Sequence, residues 1–215
     1  MRIDLLGKVL MIPAILVAFT FHEYAHARVA VKLGDNTPKY QGRLTLNPFA
    51  HIDLLGFFMI LFVGFGWAKP VQTNPNALKN YYKDDLKISI AGPLANLACS
   101  IVAVILLAIL EMMLPNAKLK QIIITIVYLT AYYNCLWMFL NLIPIPGFDG
   151  FHILKDLFPH QFYKISDKIY GYQLVIFILL IAPILGGGRS LLTYLVEIPA
   201  NYLFSVLINL VGLVF

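Results

Sequence analysis

Apolar residues run in long blocks along this chain, separated by short polar stretches rich in proline and glycine. Four blocks, at 9–33, 86–114, 122–143 and 191–214, reach the roughly 20 residues that a helix rising 1.5 Å per residue needs to cross a hydrocarbon core. A fifth at 170–185 is marginal. The block at 54–66, which holds Gly56, Gly64 and Gly66, is too short to span unless it thins the bilayer or re-enters it. The pattern predicts an all-α polytopic membrane protein with about five transmembrane helices and a short re-entrant or marginal segment at 54–66. The polar stretch "KYQGRLTLNP" (39–48) alternates in part between turn-forming ends and predicts a small β-hairpin. No polar block is long enough to fold separately, so residues 1–215 are expected to form a single transmembrane domain.

Composition agrees with a lipid solvent. Of the 215 residues 60% are hydrophobic and 13% charged, against about 25% charged in soluble domains. The net charge of +5 suits contact with anionic lipid, and the basic residues are scattered, which excludes the basic stripe of a nucleic-acid-binding protein. Cys99 and Cys135 lie in separate apolar runs without CxxC spacing and read as small buried hydrophobes. Arg2, Lys8 and the small-x-small "AHA" at 25–27 imitate a secretory signal peptide. Cleavage there would discard the most chemically loaded stretch of the chain, so the first block is expected to be a retained helix.

That stretch is His22-Glu23-Tyr24-Ala25-His26, an HExxH pattern. On a helix, residues four apart share a face, so both imidazoles can bind one ion while Glu23 reaches a water on the same ion. Ionisable groups at membrane depth cost at least about 2.5 kcal/mol each, and a bound cation is the simplest compensation for three together. A catalytic zinc takes three protein ligands and keeps one position open. Candidates for the third are Glu111, Asp149, His152 and Glu197. Asp149 stands out in "NLIPIPGFDG" (141–150), where Pro144 and Pro146 stop a helix and Gly147 and Gly150 flank the acid. Unwound backbone at membrane depth requires burial in protein or a wet cavity. Two histidines with a carboxylate favour zinc, one per chain, over magnesium or calcium. His51 and His152 are weaker additional candidates, because a three-ligand set is already complete.

HExxH on an early membrane helix, followed by N-x-x-P-x-P-x-x-D-G at the end of a later one, resembles the site-2 protease family of intramembrane zinc metalloproteases. "GRLTLNPFAHIDLLG" (42–56), "GWAKPVQTNP" (66–75) and "AGPLAN" (91–96) are similar to its compact bacterial branch, without PDZ or CBS domains. The resemblance implies that His22, His26 and Asp149 are zinc ligands, Glu23 is the catalytic glutamate, and Asn141 helps hold the reacting carbonyl. It further implies regulated intramembrane proteolysis of transmembrane or membrane-associated protein substrates in a bacterial plasma membrane. The hairpin at 39–48 would then offer its edge to an unwound substrate.

For His22 and Asp149 to meet, the first helix and the 122–143 helix must end at one membrane face, which requires 54–66 to dip in and return. That face then holds eleven of the sixteen basic residues, which makes it cytoplasmic. Rival readings are a metal-ion transporter, which would repeat acids across several helices, and a catalytically silent binding protein, which would not need Glu23. Glu197, Asn201, Ser205 and Asn209 recur every four residues on the last block. Such a stripe lines a groove, joins subunits of a homo-oligomer, or bonds to neighbouring helices in the bundle.

Overall fold

The computed structural model describes residues 5–63, 66–115, 117–185 and 188–212. Arg2, Gly64 and Val214, which belong to the segments above, lie outside the described residues. The first apolar block forms α1 (Leu5–Lys32), whose buried positions include Met11, Ile15, Phe19, His22, His26 and Ala30. They recur every three or four residues, so one helix face is turned inward along its length, and both histidines lie on it.

A one-turn helix, α2 (Thr37–Tyr40), follows, then the short apolar α3 (Leu54–Val63) and the long α4 (Tyr81–Met113). Helix α5 (Lys118–Asn141) returns antiparallel to α4 through a short loop. Beyond the Pro/Gly turn come α6 (Asp149–Leu157), α7 (Pro159–Gly171) and α8 (Gln173–Ile181). A π-type turn, Thr193–Glu197, leads into α9 (Ile198–Gly212).

Helices α1, α4, α5 and the continuous stretch Thr193–Gly212 are long and apolar enough to cross a membrane, four in all among the described residues. The expectation of about five is corrected at 170–185. There α8 has only nine residues, because Pro183 holds Ala182 in an extended conformation and stops the helix. At about 14 Å, α8 reaches halfway through a hydrocarbon core.

The predicted dip at 54–66 is visible as geometry. Ile52 and Ala68, on either side of α3, form an antiparallel bridge, and the Lys69 N–H donates to the His51 carbonyl at 2.9 Å. The chain therefore returns to the level it left. Leu54, Leu55, Phe58, Phe62 and Val63 of α3 are all exposed, as a helix bathed in lipid allows. The hairpin expected at 39–48 is not formed, and no strand occurs among the described residues. Pro38 opens α2 in its helical first turn, Gly42 ends it at φ +69°, and the Arg43 N–H closes back on the Pro38 carbonyl at 2.8 Å. The backbone groups that a hairpin would need are spent in that turn.

Helices α1, α4 and α5 pack against one another, and α9 covers α4 and α5. Small buried residues, Ser100 and Ala103 on α4, Ala131 and Cys135 on α5 and Ala200 on α9, let the backbones approach closely. The Ser100 hydroxyl donates to the Ala131 carbonyl at 2.9 Å across this seam. Cys135 is a small buried residue, as its spacing predicts, and both cysteines are free.

Candidate metal centre

His22 and His26 project from α1 at the same height as the start of α6. Their Nε2 atoms stand 3.0 Å apart, and the Asp149 carboxylate lies 3.1 Å from His22 Nε2 and 3.3 Å from His26 Nε2. Among the described residues, this is the one group of three or more metal-ligating side chains with donor atoms within 4.8 Å of one another. Asp149 reaches it because the Pro144 to Phe148 turn brings the chain back beside Leu142 and Ile143 at the end of α5. Gly150 allows that turn to close, since a Cβ there would lie 2.3 Å from the Leu142 carbonyl oxygen.

Neighbours settle which ring nitrogen faces inward. The amide nitrogen of Asn96 donates to the Ala18 carbonyl (3.1 Å) and to Asn134 Oδ1 (2.9 Å), so its oxygen must accept from His22 Nδ1, 2.7 Å away. His26 Nδ1 donates to the Ile88 carbonyl, also at 2.7 Å. With each Nδ1 committed to an outer acceptor, both rings turn Nε2 toward Asp149. The carboxylate Oδ2 is buried and has no hydrogen-bond partner among the described residues. Two lone pairs and a carboxylate converging within hydrogen-bond distance repel one another unless a cation sits between them. Zinc bonds of about 2.0–2.2 Å at tetrahedral angles place ligand atoms about 3.3 Å apart, close to the spacings here. The donor set fits zinc.

Space is reserved on the α4 side. A Cβ at Gly92 would lie 2.3 Å from His26 Nε2 and 2.6 Å from His22 Nε2. Asp85, Ile88, Gly92 and Asn96 follow one another at intervals of three, four and four along α4, which puts them on one face.

Glu23 is buried beside His22, and its Oε2 accepts from the Val71 N–H at 2.8 Å. Val71 lies in an extended stretch pinned at both ends. The buried Arg43 guanidinium donates to the carbonyls of Ala50, Lys69 and Pro70, and the fully buried Asp35 accepts from the Asn74 N–H at 2.6 Å. One carboxylate oxygen of Glu23 is thus oriented by backbone.

The remaining candidates lie outside the three-residue cluster. Asn141 ends α5, and its amide donates to the Trp137 carbonyl at 3.1 Å. His51 is fully buried with Nε2 on the Thr45 carbonyl, 2.8 Å away, and serves the loop. Glu111 pairs with Lys120 at 2.9 Å between the far ends of α4 and α5. His152 and Glu197 are exposed, as are Asn201, Ser205 and Asn209. Ser205 bonds to the Tyr202 carbonyl of its own helix. Residue-type reasoning passed over Asn96, Gly92 and Val71 individually, although "AGPLAN" and "GWAKPVQTNP" contain all three.

An HExxH helix closed by a remote carboxylate, inside a bundle of membrane-length helices, defines an integral membrane metallopeptidase. Residues 10–182 match Peptidase family M50. The chain is 36% identical over 183 residues to "Putative zinc metalloprotease YwhC" of Bacillus subtilis (strain 168), covering 82% of each. It is 31% identical over 199 residues to "Putative zinc metalloprotease Rip2" of Mycolicibacterium smegmatis (strain ATCC 700084 / mc(2)155), covering 86% of this chain and 72% of that one. An archaeal relative, "Putative zinc metalloprotease MJ0611" of Methanocaldococcus jannaschii, is 32% identical over 146 residues, 64% of each chain. No solved structure matches. The chain belongs to peptidase family M50, the site-2 proteases, and is a membrane-embedded zinc metalloprotease.

Proposed function

We propose that this protein, acting as a single transmembrane domain, is an endopeptidase that hydrolyses peptide bonds in membrane-embedded or membrane-proximal segments of other proteins. The convergence of His22, His26 and Asp149 beside a backbone-oriented Glu23 carries this reading. His22, His26 and Asp149 would hold the zinc, which would supply Lewis acidity toward a peptide carbonyl and lower the pKa of water toward 7. Glu23 takes the proton of the attacking water on its free oxygen and passes it to the leaving amide nitrogen. Asn141 has one side-chain N–H beyond the one given to Trp137, and it donates to the developing oxyanion, a role that contributes about 3 kcal/mol in other hydrolases. The basic segments next to the centre support a position near the cytoplasmic face of a plasma membrane.

Reconstitution with a fluorogenic transmembrane substrate tests the proposal. Wild type and Glu23→Gln are expected to hold about one zinc per chain, and wild type alone to cleave. Equal cleavage by the variant, or none by wild type over a wide substrate panel, refutes it.

A further inference from the structure

Metal geometry demands that α6 hold its first residue, Asp149, to within a few tenths of an ångström of a fixed place. The nine-residue α6 follows a Pro/Gly turn and packs along α4. Beyond Asp149 itself, α6 meets the bundle in a polar cluster six residues on, about 9 Å along the helix. There Lys155 Nζ donates to Asp85 Oδ2 at 2.6 Å and to the Tyr81 hydroxyl at 2.7 Å, both on α4. The side chains of Lys155 and Asp85 are each 11% exposed. Asp156, whose side chain is fully buried, adds a carboxylate oxygen 3.4 Å from the same ammonium.

Stability does not explain this cluster. A buried ion pair gains little over apolar residues of the same volume, because desolvating both charges offsets their attraction. What an ion pair adds is register: its partners are satisfied at one height and one rotation only, whereas an apolar contact slides. Asp85 also sits on the α4 face that carries Ile88 and Asn96, the residues that hold His26 and His22. One helix face therefore references all three members of the metal centre.

We propose that the Lys155–Asp85 ion pair, seated on the Tyr81 hydroxyl, is a positioning device that holds Asp149 opposite His22 and His26. The proposal rests on the assignment of Asp149 as a zinc ligand. Lys155, Asp85 and Tyr81 act through α6 and need touch neither metal nor substrate.

Metal affinity of the full-length protein in detergent micelles tests it. Zinc binding is measured by competition with a chromophoric chelator, and the coordination sphere is read from the visible absorption of the cobalt-substituted protein. Lys155→Met and Asp85→Asn are each expected to weaken zinc binding about 10–100-fold and to reduce the cobalt band intensity. The double variant is expected to be no weaker than the worse single one, since both changes break one contact. Wild-type affinity in either single variant, or losses that multiply in the double, overturns the proposal. A merely structural role would lower the melting temperature of the metal-free protein while leaving zinc affinity and the cobalt spectrum unchanged. If Lys155→Met does not fold, Asp85→Asn, which conserves volume, decides alone. Asp149→Ala separates the two levels. Wild-type affinity there refutes the ligand assignment itself, whereas a loss there with none at Lys155 and Asp85 refutes the positioning role alone.

Discussion

Gly92→Ala places one methyl group where the metal centre needs space. Its carbon would lie 2.3 Å from His26 Nε2 and 2.5 and 2.6 Å from Cε1 and Nε2 of His22, against an optimal non-bonded separation of about 3.5–4.0 Å. Flexible side chains could swing aside, but both rings are pinned at Nδ1, by Asn96 and by the Ile88 carbonyl, each at 2.7 Å. Relief therefore requires breaking one of these bonds or parting α1 from α4 by about 1 Å. Overpacking of this kind costs about 1–3 kcal/mol. Alanine regains about 1 kcal/mol over glycine in a helix interior, so the metal-free protein should change in stability by no more than about 2 kcal/mol. Zinc affinity responds differently, because the methyl occupies the point on which the Nε2 lone pairs converge. A loss of at least about 100-fold is expected, equivalent to about 2.7 kcal/mol. Competition with a chromophoric chelator measures the affinity, and thermal melts with and without zinc separate it from fold stability. Wild-type zinc affinity in Gly92→Ala would refute the placement of the ion between α1 and α4.

Asn96→Leu removes the acceptor of the His22 Nδ1 proton and strands Asn134 and the Ala18 carbonyl; zinc affinity should fall about 10–100-fold, and unchanged affinity would show that His22 needs no orienting partner. Val71→Pro deletes the N–H on Glu23, a charge-assisted bond of about 1.5–3 kcal/mol. Its kcat in proteoliposomes should fall about 10–100-fold with zinc content intact, and an unchanged kcat counts against this role. Asp156→Asn reports on the cluster beside the metal centre. Burial, reinforced by Asp85 and opposed by Lys155, pushes the Asp156 carboxyl from its ordinary 3.8 up to about 7. The folded protein then binds this proton more tightly than the unfolded chain. Its contribution to stability is fullest below the ordinary carboxylate range, declines as pH rises to about 7, and is level above. Denaturation midpoints from pH 4 to 8 should show this decline in wild type and a shallower one in Asp156→Asn; identical slopes would contradict it.

The legibility of the site follows from how local each signal is. His22, Glu23 and His26 lie within five residues of one helix, so the common face of the two histidines, with Glu23 one position along, follows from 3.6 residues per turn. Asp149 was readable because a carboxylate between helix-breaking residues has little other reason to lie at the end of an apolar block. The four long spans followed from block length alone. The hairpin at 39–48 was misread because alternation ignores the backbone: Pro38 and Gly42 commit the turn to helical geometry before any strand partner is chosen. The fifth span failed for a similar reason, since Pro183 ends α8 within a block that stays apolar beyond it.

By itself, the sequence determined the solvent, the long spanning segments and the candidate ligands, because hydrophobic length and helical period act over one segment at a time. Only the tertiary structure decided which ring nitrogen faces inward, what packs against the two imidazoles and what α6 pairs with on α4. Those depend on the Asn96 amide, the missing side chain of Gly92 and the pairing of Asp85 with Lys155. Their partners lie 62 to 74 residues away along the chain. No local pattern can encode such a contact, since it exists only once α1, α4 and α6 have packed.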